Sequence, residues 1–199
     1  MAFDLQTFIN NITDYGVVSP NKFEVTITLP KRLQELKSNP DFSFLNQFES
    51  ILPIRALNCI PPGVNLSTNE THYQGIGPRI KMPFNAVFSE FRIVMLADVE
   101  SIIEQTFNLW MNLIYNFSPS GSSNASYLTT YRDIIVSPDI LISKFDFTGR
   151  KILDYHLYNA IPTSFVGQSL DWSATNSTSK FSSSFHFTTY SIDVYKKVE

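Results

Sequence analysis

The chain has 199 residues, 17% of them charged and 14% aromatic, with a formal net charge of −3. So apolar a composition excludes a disordered chain, and the slight acidity argues against a broad nucleic-acid-binding surface, which needs many phosphate-neutralising cations. The length suits a single domain, 1–199, able to bury a sizeable core, and few charges with many aromatics fit a surface largely consumed by partners.

Taken in order, MAFDLQTFINN carries neither a basic n-region nor an apolar h-region and does not read as a signal peptide. Residues 3–14 suit a short helix with Phe3, Phe8 and Ile12 loosely on one side. Pro20-Asn21 then introduces a strand, in which Phe23, Val25, Ile27 and Leu29 alternate with Lys22, Glu24, Thr26 and Thr28 up to Pro30. Residues 31–52 read as an excursion of one or two helical turns, broken at Asn39-Pro40. Its aromatics, Phe42, Phe44 and Phe48, follow no clear period, which leaves two equal readings: a segment packed on a neighbour, or a cap over its own core. A strand from Ile54 to Ile60 should end at Pro61-Pro62-Gly63. Residues 64–77 read as polar extended chain, followed by strands at Arg79–Met82 and Ala86–Leu96 across a turn at Pro83-Phe84-Asn85. Cys59 is the only cysteine, which rules out an intrachain disulfide and suits a small core residue.

A single convincing helix follows. Asp98 can cap it, Glu100 and Glu104 sit at its positive end, and Ile103, Phe107, Trp110 and Ile114 form an apolar stripe. Residues 118–131 are a polar loop long enough to imply exposure or a partner. Strands at 139–147 and 152–160 are joined by a turn at Thr148-Gly149-Arg150. The last strand runs from Ser179 to Tyr195, with Phe181, Phe185 and Phe187 on one side and Ser182, Ser184, His186 and Thr188 on the other. Pattern alone favours the solvent face of an antiparallel sandwich for that hydroxyl-rich side. Its length also admits a strand in a sheet shared among subunits, with the polar face lining a lumen. No apolar run reaches membrane-spanning length, so no membrane anchor is expected. The fold class is mainly β: an antiparallel barrel or sandwich of about seven strands with one amphipathic α-helix.

Reactive chemistry is close to absent. His72, His156 and His186 lie far apart, and Asp154 and His156 share a strand face without a visible third ligand. The pair Gly75 and Gly77 lacks the third glycine of a dinucleotide fingerprint, and no nucleophile elbow or P-loop occurs. No catalytic, metal or cofactor site is expected.

Several segments together resemble a known family. The order NKFEVTITLP, a strand ending in CIPPGV, then PRIKMPFNAVFSEFRIVML, then a helix carrying Trp110, resembles the tail tube proteins of T4-like contractile phages. So does the close, AIPTSFVGQSLDW followed by a long alternating strand, with Pro162-Thr163, Gly167 and Leu170-Asp171-Trp172 in matching places. The resemblance covers about 20–30, 53–117 and 135–197; 31–52 and 118–131 look longer than in the simplest tube protein and read as inserted contact loops.

The resemblance implies a fold shared with type VI secretion tube proteins. It implies a structural virion protein, not an enzyme: six copies form a ring with a continuous inner β-barrel, and rings stack into a tube for DNA ejection. Sheath, baseplate and terminator proteins are then partners, DNA touches the lumen only in transit, and the protein sits in the phage tail after assembly in the host cytoplasm. On that reading Ser182, Ser184, His186 and Thr188 face the lumen, with Glu90 and Arg92 nearby. A baseplate-proximal tube initiator and, from another class, a β-sandwich ligand-binding module remain alternatives.

Overall fold

The computed structural model describes residues 19–72, 79–115, 135–167, 171–173, 175 and 177–195. The expected helix at 3–14 and the loop at 118–131 lie outside the described residues. Among the described residues, nine strands and three α-helices follow one another as β1 (Phe23–Ile27), α1 (Lys31–Leu36), α2 (Leu45–Arg55), β2 (Ala56–Ile60), β3 (Val64–His72), β4 (Arg79–Phe88), β5 (Phe91–Leu96), α3 (Ile102–Ile114), β6 (Ser137–Phe145), β7 (Lys151–Gly167), β8 (Lys180–His186) and β9 (Thr189–Val194). Seven strands make one antiparallel sheet in the order β1-β6-β7-β8-β5-β2, with β9 also on β7; β3 and β4 form a separate hairpin. The sheet ends at β1 and β2 and does not close into a barrel.

The centre of the sheet is β7, 17 residues long. Its first part, Leu153 to Tyr158, pairs with β9, and its last part, Ile161 to Gly167, pairs with β8. The sequence reads Ser179–Tyr195 as one strand, but the structure breaks it at Phe187 and Thr188, between β8 and β9. The break faces Asn159 of β7, whose φ of 54° lies in the left-handed region, one that Asn tolerates better than most residues. Both strands of the long hairpin therefore bend together, and the sheet divides into two halves: β1, β6, β9 and the start of β7, against β2, β5, β8 and the end of β7.

Between the halves lies the core. Val25, Ile27, Ile140, Ile142 and Leu157 come from the first half, and Phe91, Ile93, Met95 and Phe185 from the second, all fully buried. α3 fills the space with Ile103, Phe107 and Trp110, also fully buried, while Ile114 at its end is partly buried against the same core. Phe107 is the hub: its ring stacks on Phe165 at 5.0 Å and meets Phe48, Trp110 and Phe185 at 5.9–6.1 Å. Asp98 caps α3 by accepting from the Ile102 backbone N–H at 2.7 Å and from that of Ile103 at 3.4 Å.

Three sequence expectations shift. Residues 31–52 fold into α1, a 3-10 turn at Pro40–Phe42 and most of α2, and they bury Leu33, Leu45, Phe48 and Leu52 in the chain's own core. α2 runs to Arg55 with Pro53 inside its last turns, so the following strand starts at Ala56 rather than Ile54. The turn expected at Pro83-Phe84-Asn85 is instead the middle of β4, where the pairing with β3 slips by one residue between Ser67 and Thr68. A bulge of this kind absorbs a proline that has no N–H to give the ladder.

Trp110 donates its indole N–H to the Ile135 carbonyl at 2.7 Å. Trp110→Ala should therefore lower stability by about 3–5 kcal/mol. Trp110→Phe, which keeps much of the packing and strands only that carbonyl, should cost about 1–3 kcal/mol. Denaturant midpoints of both variants check this, and an unchanged Trp110→Ala midpoint would remove α3 from the core.

Candidate assembly surface

Outside the core, the second half-sheet presents the face opposite Phe181 and Phe185. Across it the register aligns Arg92 of β5 with Ser184 of β8, and Ser184 with Ser164 of β7. The four residues of the polar pattern are not equally open there. Ser182 is half-buried with its hydroxyl 3.5 Å from the Val166 carbonyl. Ser184 is only 6% exposed. His186 is exposed and sets its Nε2 3.3 Å from the Glu90 carboxylate. Thr188, also exposed, lies at the break and donates its backbone N–H to the Tyr158 carbonyl at 3.0 Å. Ser183, on the core side, is buried and donates to the Ser164 carbonyl at 3.0 Å.

The first half-sheet presents a different outer face. One row across it reads Glu24, Ser143, Asp154 and Asp193, on four strands. No local sequence signal marks this row, because its members come from segments far apart. Asp154 is buried and accepts from the Tyr195 hydroxyl at 2.9 Å and the Lys151 ammonium at 3.2 Å. Burial alone pushes its carboxyl up, but hydrogen bonds from Ser143, Tyr195 and Lys151 outweigh that and hold it below the usual carboxylate range. The bond to Asp154 in turn pushes the Tyr195 phenol up. In the next row His156 sets Nδ1 2.9 Å from Asp139 and Nε2 3.6 Å from Asp193. Its two nitrogens point at different carboxylates and do not converge on one point. Among the described residues no group of three or more His, Cys, Asp or Glu is placed to hold a metal ion. Cys59 is half-buried, and burial pushes its thiol up to about 11, far from a reactive thiolate.

The β3–β4 hairpin is the feature that the sequence does not announce. Ser89 ties its base, accepting from the Gly63 N–H at 2.7 Å while its own N–H donates to the Gly63 carbonyl at 2.9 Å. Phe88 rests 5.8 Å from Phe187 and 5.6 Å from Tyr190, at the bend between β8 and β9. Among the described residues, no other element packs extensively against the arm beyond that base. It exposes Val64, Leu66, Ile80, Met82, Phe84 and Val87, large apolar side chains shared between the two faces of the hairpin.

Sheet edges complete the surface. Among the described residues, β2 has no partner on its outer side, and neither does β7 from Ile161 to Gly167. Neither stretch contains a charged residue, the usual guard against edge-to-edge pairing. By contrast, the outer strands of the first half-sheet carry Glu24 on β1 and Asp193 on β9.

A family model described as phage tail tube protein matches residues 18–193. The chain belongs to the phage tail tube protein family. The match takes in the strands described for this tail tube protein, up to Asp193 in β9, and the helix α3 packed inside them. Its fold is shared by the anti-feeding prophage tube-terminating cap, at 16% identity and a TM-score of 0.61, over 90% of this chain and 92% of that one. It is also shared by a chain of the extended PVC sheath-tube complex of an extracellular contractile injection system, at 15% identity and a TM-score of 0.60, over 98% and 100%. A chain of the anti-feeding prophage baseplate follows at 10% identity and a TM-score of 0.59, over 89% and 95%. No curated protein matches the chain.

Asp154→Asn tests whether the polar row of this tail tube protein stabilises it. A carboxylate held below its unfolded value contributes stability above about pH 4 and loses it as pH falls through its lower folded value. The native protein should therefore melt higher than the variant at pH 7, and the two should converge in acid. Coincident melting curves at pH 7 would show that the row contributes nothing.

Proposed function

We propose that this tail tube protein is the structural subunit of a hollow tube built from stacked hexameric rings, the conduit for DNA ejection from a contractile phage tail. The observation that carries the reading is the pair of uncharged open edges on the second half-sheet. From β7 through β8 and β5 to β2 each strand is antiparallel to the last. Four segments is an even number, so the outer strand β2 runs opposite to β7. Rotation about a ring axis preserves strand direction, so β7 of the next copy would meet β2 antiparallel. The alternation then continues around the ring without a break, and pairing removes the edges.

The lumen wall on this reading is the outer face of that half-sheet. Ser182, His186 and Thr188 stand on it, Ser184 is recessed, and Glu90, Arg92 and Lys180 contribute sparse charges of both signs. Such a wall offers a passing polyanion few fixed cations. The acidic row and His156 then face away from the channel, toward a sheath. The β3–β4 arm supplies apolar surface for contact between successive rings, a role the sequence alone gives to 31–52 and 118–131. Whether the copies repeat along the tube or form its baseplate-proximal start turns on those contacts.

Light scattering with negative-stain imaging of the purified protein should show rings of six and short hollow rods. Only monomers across a wide range of concentration and salt would overturn the reading. A second measurement addresses the lumen: replacing Ser182, His186 and Thr188 together with Lys should leave tubes intact yet slow DNA ejection. The added cations bind phosphate, so the effect should fade as salt rises. Normal ejection by particles carrying these lysines would move the lumen to another face.

A further inference from the structure

Among the described residues, two features have no use within one copy. One is Trp172, whose side chain is fully exposed on the turn between β7 and β8. That turn is held in shape: Asp171 accepts from the Ser173 backbone N–H at 2.9 Å and from its hydroxyl at 2.8 Å. The backbone bond and then the hydroxyl bond keep the Asp171 carboxyl below the usual range, so the indole stands beside a fixed negative charge. The other is a cavity of about 400 Å³ where the open edges β1 and β2 of the two half-sheets approach each other. Phe23, Cys59, Pro61 and Ile142 make its apolar lining, and Lys22 and Lys144 add two positive charges. Both cations are already positioned. Lys22 donates to the Phe147 carbonyl at 2.6 Å, and the Lys144 ammonium lies 5.3 Å from the centre of the Tyr155 ring.

We propose that Trp172 of one copy enters this cavity on a second copy, with Asp171 facing the two lysines at its rim. Size, polarity and charge all agree. An indole needs an apolar pocket of this order, its ring is the strongest aromatic partner for an ammonium, and Trp is among the residues most enriched as interface anchors. The knob and the hole are different parts of the same chain, so each copy gives one and receives one. Such heterologous contacts propagate instead of closing in pairs. The inference rests on the tube reading and adds to it a specific contact between copies.

Cys59 lies in the lining and is the only native thiol, which supplies the test. In full-length Trp172→Cys protein, mild oxidation of the assembled material should link the introduced thiol to Cys59 of the neighbouring copy. Non-reducing gels should then show a ladder of dimers, trimers and larger species, and Cys59→Ser in the same chain should abolish it. Tubes that are present in images but give no Cys59-dependent ladder, or only an intrachain link, would overturn the contact and leave the tube standing. Absence of any assembly by the native protein would instead overturn the tube reading first, and this contact with it. The native protein gives an independent readout. Trp110 is buried, so iodide quenching of monomers reports Trp172, and quenching should fall severalfold on assembly. Quenching unchanged in assembled tubes would overturn the proposal. A pocket filled by the chain's own residues 1–18 would show as Cys59 reactivity that rises when those residues are removed and ignores Trp172→Ala; that result too would overturn it.

Discussion

Strand β7 must serve two half-sheets at once, and its bend at Asn159 determines where every other strand can lie. A straight strand of 17 residues would hold its partners in one flat layer, leaving Phe107 and Trp110 nothing to pack between. The left-handed turn at Asn159, matched by the break at Phe187 and Thr188 on the partner strand, folds the sheet over α3. Once the bend is made, the aromatic cluster around Phe107 joins the second half-sheet, through Phe165 and Phe185, to Phe48 of α2, which packs against β1 of the first half. The bend costs local strain of about 1–3 kcal/mol for a non-glycine residue in that region. Burial of several large rings, each worth about 1.5–3 kcal/mol, offsets it many times over.

The same bend explains why the molecule carries two dissimilar outer faces. On the first half-sheet, polar groups interlock: Asp154 with Tyr195 and Lys151, His156 with Asp139 and Asp193. On the second, the exposed side chains form few ion pairs, and the edges are bare of charge. A sheet that stayed single would have to protect those edges, as β1 and β9 are protected. That contrast within one chain is what supports the proposed pairing of the uncharged edges.

Much of this was legible in the sequence. The alternation of Phe181 and Phe185 with Ser182, Ser184 and His186 gives the strand and its core side, and the spacing of Ile103, Phe107 and Trp110 gives the helix and its buried stripe. What was not legible has physical reasons. Pro83 reads as a turn because it lacks a donor, and only the slip in register against Thr68 shows that a bulge absorbs it. Without the bulge the sequence shows separate pieces, and the pairing of Leu66, Met82 and Phe84 in one hairpin arm is not visible in it. Ser184 follows the polar period yet is buried, since burial depends on Arg92 and Ser164 in neighbouring strands. Asp139, Asp154 and Asp193 meet only through pairing of β6, β7 and β9, which no local pattern predicts. The resemblance to tube proteins identified the family from ordered motifs, but the open edges needed the topology.

On the proposed reading, ring closure and ring stacking make different demands on the chain. Closure requires contacts that saturate at a fixed number of copies, which sheet edges provide because backbone pairing sets direction and spacing. Stacking requires contacts that never saturate, which a protruding knob and a separate hole provide. If both were built from sheet edges, a misdirected copy could continue the ring sheet into an open ribbon. An aromatic knob, read through its side chain instead of its backbone, cannot be mistaken for a strand edge. On the proposed reading, β2 and the end of β7 hold the ring, while the β3–β4 arm and Trp172 reach beyond it. The low charge content of the whole chain fits the same reading, in which both kinds of contact consume surface that a solitary domain would keep polar.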